Sequence, residues 1–399
     1  MYHHFLNIQE LNMTVIYLII FLSVASAVYL GTHYFVYHSI ISGYGIAKDS
    51  RAGRILRIVF LLLGLWFPAG EFLSRTPAAA RLKTAITAGG IWIGLLTMTF
   101  FILIIRSALT AFLRSPRFKY YSLTAALALS AGATVFAVIN ASGPPTVREI
   151  TVTTDKFSSR EKFTLVQITD LHLNYARSDE WVEALVSRIN ALEPDAVVIT
   201  GDLIDARLCG FNNFCEILSG IRSKHGVFAI TGNHEYYVGL EKFEILAEAA
   251  GIKILYNQNI SPDGKRLTLI GINDDEGSRF AGGGPDFAAA SKGADFSKYA
   301  VLLYHRPAGF DGYADAGIDL QLSGHTHWGQ IPPVDIMVRL LFKYPAGLYR
   351  RGTSLIYTSP GTGTWGPPMR FFSKSEITAF QIKGAAENIP PFRKEIFFK

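Results

Sequence analysis

Ser323-Gly324-His325-Thr326-His327-Trp328 sets two histidines two residues apart, directly after a glycine turn. The alternating run Ile318–Leu322 leads into it and predicts a strand, so Gly324 opens the turn at the strand's carboxyl end. Side chains two apart on an extended segment share a side. Both imidazoles are therefore expected to face one small space, as histidines serving a pair of metals must. A lone His-x-His is a weak signal, and its weight comes from the residues at the ends of the other strands in this half.

From Arg148 onward the chain reads as short β-branched or apolar runs ending in small or acidic residues. Strands are predicted at Phe163–Ile168, Ala196–Thr200, Val227–Ile230, Leu267–Ile272, Ala300–Tyr304, Ile318–Leu322, Leu355–Thr358 and Ile377–Gln381, with helical patterns at Asp179–Leu192 and Leu240–Ala250. Such alternation, with strands apolar on both faces, indicates an α/β sandwich. Five strand ends carry Asp170 and His172; Asp202 and Asp205; Asn233 and His234; His305; and His325 with His327. Ligands bind at the carboxyl edge of open α/β sheets. Asp, Asn and Gly after a strand are ordinary turn residues, but histidine is not. Of the six histidines in this half only His225 lies away from these ends. Carboxylate, amide and imidazole without thiolate suit Mn²⁺, Fe or Zn²⁺. Seven of these as ligands, Asp170, His172, Asp202, Asn233, His305, His325 and His327, are too many for one open catalytic metal and right for two, which can activate water and clamp an in-line displacement at phosphorus.

Asp170-x-His172, Gly201-Asp202-x-x-Asp205, Gly232-Asn233-His234-Glu235, the separate His305 and Gly324-His325-x-His327 resemble, in order and spacing, the calcineurin-like metallophosphoesterase superfamily. With the apolar first part of the chain, the likeness extends to the branch of transmembrane proteins with a metallophosphoesterase domain. The resemblance implies a four-layer αββα sandwich. It also implies two divalent metal ions. Asp170, His172 and His327 would hold the first, Asn233, His305 and His325 the second, with Asp202 bridging. His234 would be the general acid, oriented by Asp205, and a metal-bridging hydroxide would attack phosphorus directly. Two departures stand out: Ala206 occupies a position where the family often has Arg, with Arg207 one further on, and Trp328 replaces a common Gly.

The remaining sequence concerns the membrane. Apolar residues make up 49% of the chain and charged ones 18%, a balance pointing to membrane segments. Four apolar runs, roughly Thr14–Tyr34, Ile55–Leu73, Ala85–Ile105 and Tyr121–Ala141, are each near the ~20 residues that cross a bilayer as a helix. The expected organisation is a four-helix transmembrane region over 1–145, a linker leading into the domain over 146–160, and the metallophosphoesterase domain over 161–399. Lys48, Arg51, Arg54 and Arg57 in the first connection and Arg106, Arg114, Arg117 and Lys119 in the third outweigh Arg75, Arg81 and Lys83 in the second. That bias puts the first and third connections in the cytoplasm. The protein is thus expected in the cytoplasmic (inner) membrane, multi-pass, with its catalytic domain extracytoplasmic. The net charge of +6 resides in the membrane half: residues 150–399 hold 26 Lys/Arg against 28 Asp/Glu. No nucleic-acid partner is expected.

Cys209 and Cys215, the only cysteines, read as a disulfide in an oxidising space or as two thiols otherwise. Arg370, in a glycine-rich return loop, is a candidate phosphate clamp or a surface arginine. Glu71 is an interfacial carboxylate or a functional acid. The apolar segment Ile331–Phe342 is a helix packed on the domain or a lip dipping toward the bilayer. The function that emerges is a membrane-anchored phosphoesterase, a phosphodiesterase first. Its substrates would be phosphoesters, lipid-linked ones included, and a pyrophosphatase of envelope synthesis is the alternative. The rival from another class is a catalytically inactive membrane sensor or scaffold.

Overall fold

The computed structural model describes residues 8–385 apart from 75, 77, 114, 175–176, 207, 210–212 and 281–282. Arg75, Arg114 and Arg207 therefore lie outside the described residues. Four helices come first: α1 (Ile8–Gly43), α2 (Arg51–Ser74), α3 (Ala79–Phe112) and α4 (Pro116–Ser142). Among the described residues three helical stretches are long and apolar enough to cross a membrane, Arg51–Ser74, Arg81–Phe112 and Pro116–Ser142. Three candidate spans, not the expected four, are thus found among the described residues; the first apolar run falls in α1, many of whose side chains lie outside the described residues. Only 6% of the α2 span is buried, and Ile58, Leu62 and Leu65 stand out from the helix. So much exposed aliphatic surface is stable against lipid, not against water.

Packing divides the chain into two compact units. The first holds the residues up to Ala69 together with Trp92–Thr134 and is cored by Val36, Leu96, Leu103, Leu123 and Ala126. Inside it the indole of Trp92 donates to His33 Nε2 at 3.1 Å, while His33 Nδ1 donates to the Tyr29 carbonyl at 3.0 Å. Together these bonds satisfy the buried ring in its neutral form.

The second unit holds Gly70–Ile91 and everything from Val135. Its strands are β1 (Thr146–Thr154), β2 (Lys162–Ile168), β3 (Ala196–Thr200), β4 (Val227–Ile230), β5 (Ile252–Ile254), β6 (Gln258–Ile260), β7 (Leu267–Gly271), β8 (Tyr299–Leu303), β9 (Leu320–Ser323), β10 (Gly347–Arg351), β11 (Ser354–Thr358) and β12 (Glu376–Gly384). The helices are α5 (Asp179–Asn190), α6 (Phe214–Ser219), α7 (Asn233–Val238), α8 (Leu240–Ala249), α9 (Phe287–Ser291), α10 (Phe310–Asp315) and α11 (Val334–Leu341). Two six-stranded mixed sheets result, ordered β1-β12-β2-β3-β4-β5 and β10-β11-β9-β8-β7-β6. The segment 146–160, expected as a linker, opens with β1, which pairs parallel to β12 along its whole length.

Strand alternation builds the layers. On β2 and β3, Phe163, Leu165, Ala196 and Val198 point between the sheets toward Leu269, Val301, Leu320 and Leu322 of the second sheet. Val166, Ile168, Val197 and Ile199 point outward against Val182, Leu185, Val186 and Ile189 of α5, spaced to form one helical stripe. Ile270, Ala300 and Leu302 cover the other outer face with Ala290 and Phe287 of α9. The arrangement is a metallophosphoesterase-type α/β sandwich. Because β2, β3 and β4 run parallel, as do β7, β8, β9 and β11, the ends that carry the candidate residues emerge along one rim.

Candidate metal centre

The loops after β2 and β3 are zipped together by their backbones. Asp170 N–H donates to Gly201 O at 3.0 Å, His172 N–H to Asp202 O at 3.0 Å, and Asp205 N–H to Leu173 O at 2.8 Å. Glu235 ties in the next loop: its buried carboxylate accepts from the N–H groups of Gly232, Asp202 and Leu203 at 2.7, 2.9 and 2.7 Å. Through the Gly232 bond, Glu235 also caps the start of α7 from its first turn. Among the described residues nine non-glycine positions have positive φ, and five are candidate ligands: Asp170, His172, Asp202, His325 and His327. Such conformations cost on the order of 1–3 kcal/mol each and persist where the surroundings enforce them.

Eight of the nine sequence-derived residues group at this rim, in two clusters and the His234–Asp205 pair, and Asn233 directly precedes His234 at the start of α7. Asp170, His172 and His327 form one cluster: His172 Nε2 lies 3.0 Å from His327 Nε2, which lies 3.3 Å from Asp170 Oδ1. Asp202, His305 and His325 form the second: His305 Nε2 lies 3.2 Å from both Asp202 Oδ2 and His325 Nδ1. Asp202 Oδ2 also stands 3.7 Å from His172 Nε2, between the clusters. Thr200 O accepts from His305 Nδ1 at 2.8 Å, which leaves Nε2 to face the cluster.

The two histidines of the opening motif do not share one space through an extended segment. Residues 325 and 327 adopt left-handed φ of 70° and 49°, and the turn sends His325 to His305 and His327 to His172. Gly324 makes the turn possible, since a Cβ there would overlap Asp170 Oδ2 and Thr169 Oγ1. That closeness lets the His325 N–H donate to both Asp170 oxygens at 3.0 and 3.1 Å.

His234 and Asp205 stand beside the clusters. Asp205 Oδ1 accepts from Nδ1 of His172 at 2.9 Å and of His234 at 2.7 Å. His172, Asp205 and His234 also come close enough to hold an ion, but both Nδ1 atoms are committed to Asp205 as proton donors. Burial alone would lower His234, yet the Asp202 and Asp205 carboxylates push it up to about 9. Burial and the neighbouring His305 drive His325 down to about 3; burial and His172 hold His327 well below the usual range. His305 goes the other way, to about 10, because Asp202 outweighs its burial. The carboxylates thus call for positive charge that a divalent cation would supply. The donor set fits one in a further respect. Asn233 Oδ1 is buried and accepts no hydrogen bond among the described residues, an orphan that a cation would satisfy.

The family model described as calcineurin-like phosphoesterase matches residues 163–329. An uncharacterized metallophosphoesterase of Aquifex aeolicus is 32% identical over 242 residues, 60% of this chain and 92% of that protein. The chain belongs to the calcineurin-like metallophosphoesterases. An uncharacterized metallophosphoesterase of Helicobacter pylori is 36% identical over 240 residues, 60% of this chain and 64% of its own. A zebrafish (Danio rerio) transmembrane protein with metallophosphoesterase domain is 34% identical over 65% of this chain and 62% of its own. The chain thus spans less than two thirds of the length of these last two relatives.

Other features of this metallophosphoesterase resolve or correct the alternatives that the sequence leaves open. Arg370 is fully buried and spends its donors on the carbonyls of Pro360 and Gly363 at 2.8 and 2.6 Å and on Ser373 Oγ at 2.9 Å. It holds the glycine-rich loop rather than facing a phosphate. Trp328 lies under the Arg339 guanidinium at 4.8 Å. Cys209 and Cys215 are joined as a disulfide. Glu235 ties the loops after β3 and β4 through backbone N–H groups, a role that its place after His234 does not signal. Nothing local in the sequence marks out Arg177, which lies 4.3 Å over the Trp181 ring. A groove of about 620 Å³ opens on His234, Asp205 and Arg177. Another cavity, of about 760 Å³ between α5 and α6, holds no candidate ligand.

Proposed function

We propose that the chain is a membrane-anchored phosphodiesterase with two divalent cations. Asp170, His172 and His327 hold one, Asn233, His305 and His325 the other, and Asp202 serves both. The observation that carries this reading is the position of the Asp202 carboxylate, within 3.7 Å of a ring nitrogen of each cluster. Mn²⁺, Fe or Zn²⁺ there would supply an activated water nucleophile and positive charge against the phosphate oxygens. The protein's own contribution is the proton. His234 Nδ1 is fixed on Asp205, so its Nε2 delivers a proton to the departing oxygen. Asp205 holds His172 in the ligating tautomer by the same oxygen. A groove beside His234 leaves room for a bulky leaving group, which favours a diester over a monoester.

The full reading has four spans over 1–145, a catalytic domain over 161–399, and that domain on the extracytoplasmic side of the inner membrane. The basic residues of the first and third connections and the Cys209–Cys215 disulfide support that side. A pyrophosphatase is the second reading, favoured by Arg177 and Lys242 in the groove, where a second phosphate would lie. The full chain with Mn²⁺ should hydrolyse bis-(p-nitrophenyl) phosphate. Unchanged turnover in Asp202→Ala would end the two-metal reading.

A further inference from the structure

The groove beside His234 has one wall that the chemistry does not require. Its reactive wall carries His234, Asp205 and Arg177. The opposite wall comes from the helices that precede the domain: Ile86, Gly90 and Ile91 of α3 with Val138 and Ala141 of α4. All these positions belong to the second packing unit, so the groove lies within one compact body. Both helices are long and apolar enough to cross a membrane; the α3 residues stand near its start and the α4 residues near the end that leads into the domain. A substrate wholly in solution gains nothing from a leaving-group wall made by bilayer helices.

We propose that the substrate is a lipid phosphoester taken from the bilayer, its phosphate at the metal centre and its chain lying against Ile86, Ile91, Val138 and Ala141. This rests on the phosphoesterase reading above. The lining matches an amphiphile: Arg177, its guanidinium bonded to Thr364 Oγ1 at 3.2 Å, stands at the head-group end, while Trp181 and Trp365 add aromatic surface of the kind found where chains meet head groups.

The segment after the last histidine supports the same placement. α11 begins seven residues beyond His327 and leaves Met337, Leu340 and Leu341 exposed, the last two by 81% and 74%. Gln330, just before it, is bonded to Trp365 through both its amide atoms at 2.9 Å and accepts from Phe371 N–H. That loop is in turn fastened to α4, where Asn140 donates to Arg370 O and Ser373 O at 3.0 and 2.9 Å. α11 therefore presents an apolar face from a loop bonded to a bilayer helix, as an element resting in the lipid interface does.

The test uses the full chain in detergent with Mn²⁺. Alkyl phosphates from ethyl to hexadecyl compete against bis-(p-nitrophenyl) phosphate. Inhibition should strengthen with chain length, by on the order of tenfold for every two methylenes buried. Val138→Trp and Thr87→Trp, at half-buried lining positions, should remove that gain, read within each variant as the ratio of hexadecyl to ethyl phosphate inhibition. A separate arm needs no turnover: a hexadecyl phosphate with a chain-borne diazirine should label the groove lining, Ile86, Ile91, Val138 or Ala141 with Trp181 and Trp365, and Val138→Trp should abolish that labelling. Chain-independent inhibition, or labelling that spares the groove lining, overturns the lipid proposal and leaves the phosphoesterase reading standing. Absence of any diester turnover, with labelling intact, would instead remove the catalytic reading.

Discussion

Asp205 is the residue through which ligation and proton delivery are coupled, because one carboxylate oxygen accepts from both His172 and His234. His234 has no place in either ligand cluster, so its loss should spare the metals and damage only protonation of the leaving group. His234→Gln should lower turnover of an alkyl diester by about 10²–10⁴-fold. It should cost far less with p-nitrophenol, which departs without a proton, and bound metal should stay unchanged. Equal losses on both substrates would deny the acid role. The residue types and their order were legible in the sequence because histidine has no ordinary reason to follow strands. Their geometry was less so. A same-side placement of His325 and His327 is what an extended backbone gives, and the left-handed turn between them replaces that with delivery to two separate clusters. Arg370 shows the same limit: an arginine in a glycine-rich loop reads as exposed, and only the packed loop reveals the carbonyls that bury it.

Elements set the rim, and glycines let the rim close. Gly324 and Gly232 are the two positions where a Cβ would overlap a ligand carboxylate, Asp170 and Asp202 respectively. Gly324→Ala should therefore displace Asp170 and cut metal affinity at least about tenfold, in the range that disturbed ligand support costs. Circular dichroism should show the sandwich intact, since the substitution touches a turn and no strand. Affinity equal to that of the parent chain would contradict the packing argument. All eight strands predicted from alternation are present, because buried parallel strands advertise themselves as apolar runs. The edge strands β5 and β6, three residues each, are too short to show a period. β1 comes so directly after the Gly-Pro-Pro segment that it reads as linker, although its pairing with β12 completes the first sheet.

For the molecule as a whole, the proposed extracytoplasmic placement of the domain rests on the disposition of charge and sulfur. Eight basic residues in the first and third connections face three in the second, and the one disulfide belongs to the catalytic half. In intact cells, a membrane-impermeant maleimide should label the domain only after external reduction, at Cys209 and Cys215. Labelling only after lysis would place the domain in the cytoplasm, and labelling of intact cells without reductant would show two free thiols outside in place of the disulfide.

The central claim is that side chains from five strand ends hold two cations across Asp202. Metal analysis of the purified full chain tests it most directly. The account predicts about two divalent ions per chain, falling to about one or fewer in Asp202→Asn while the fold is kept. A parent chain with no tightly bound metal, or an Asp202→Asn chain that still holds both ions, would contradict it.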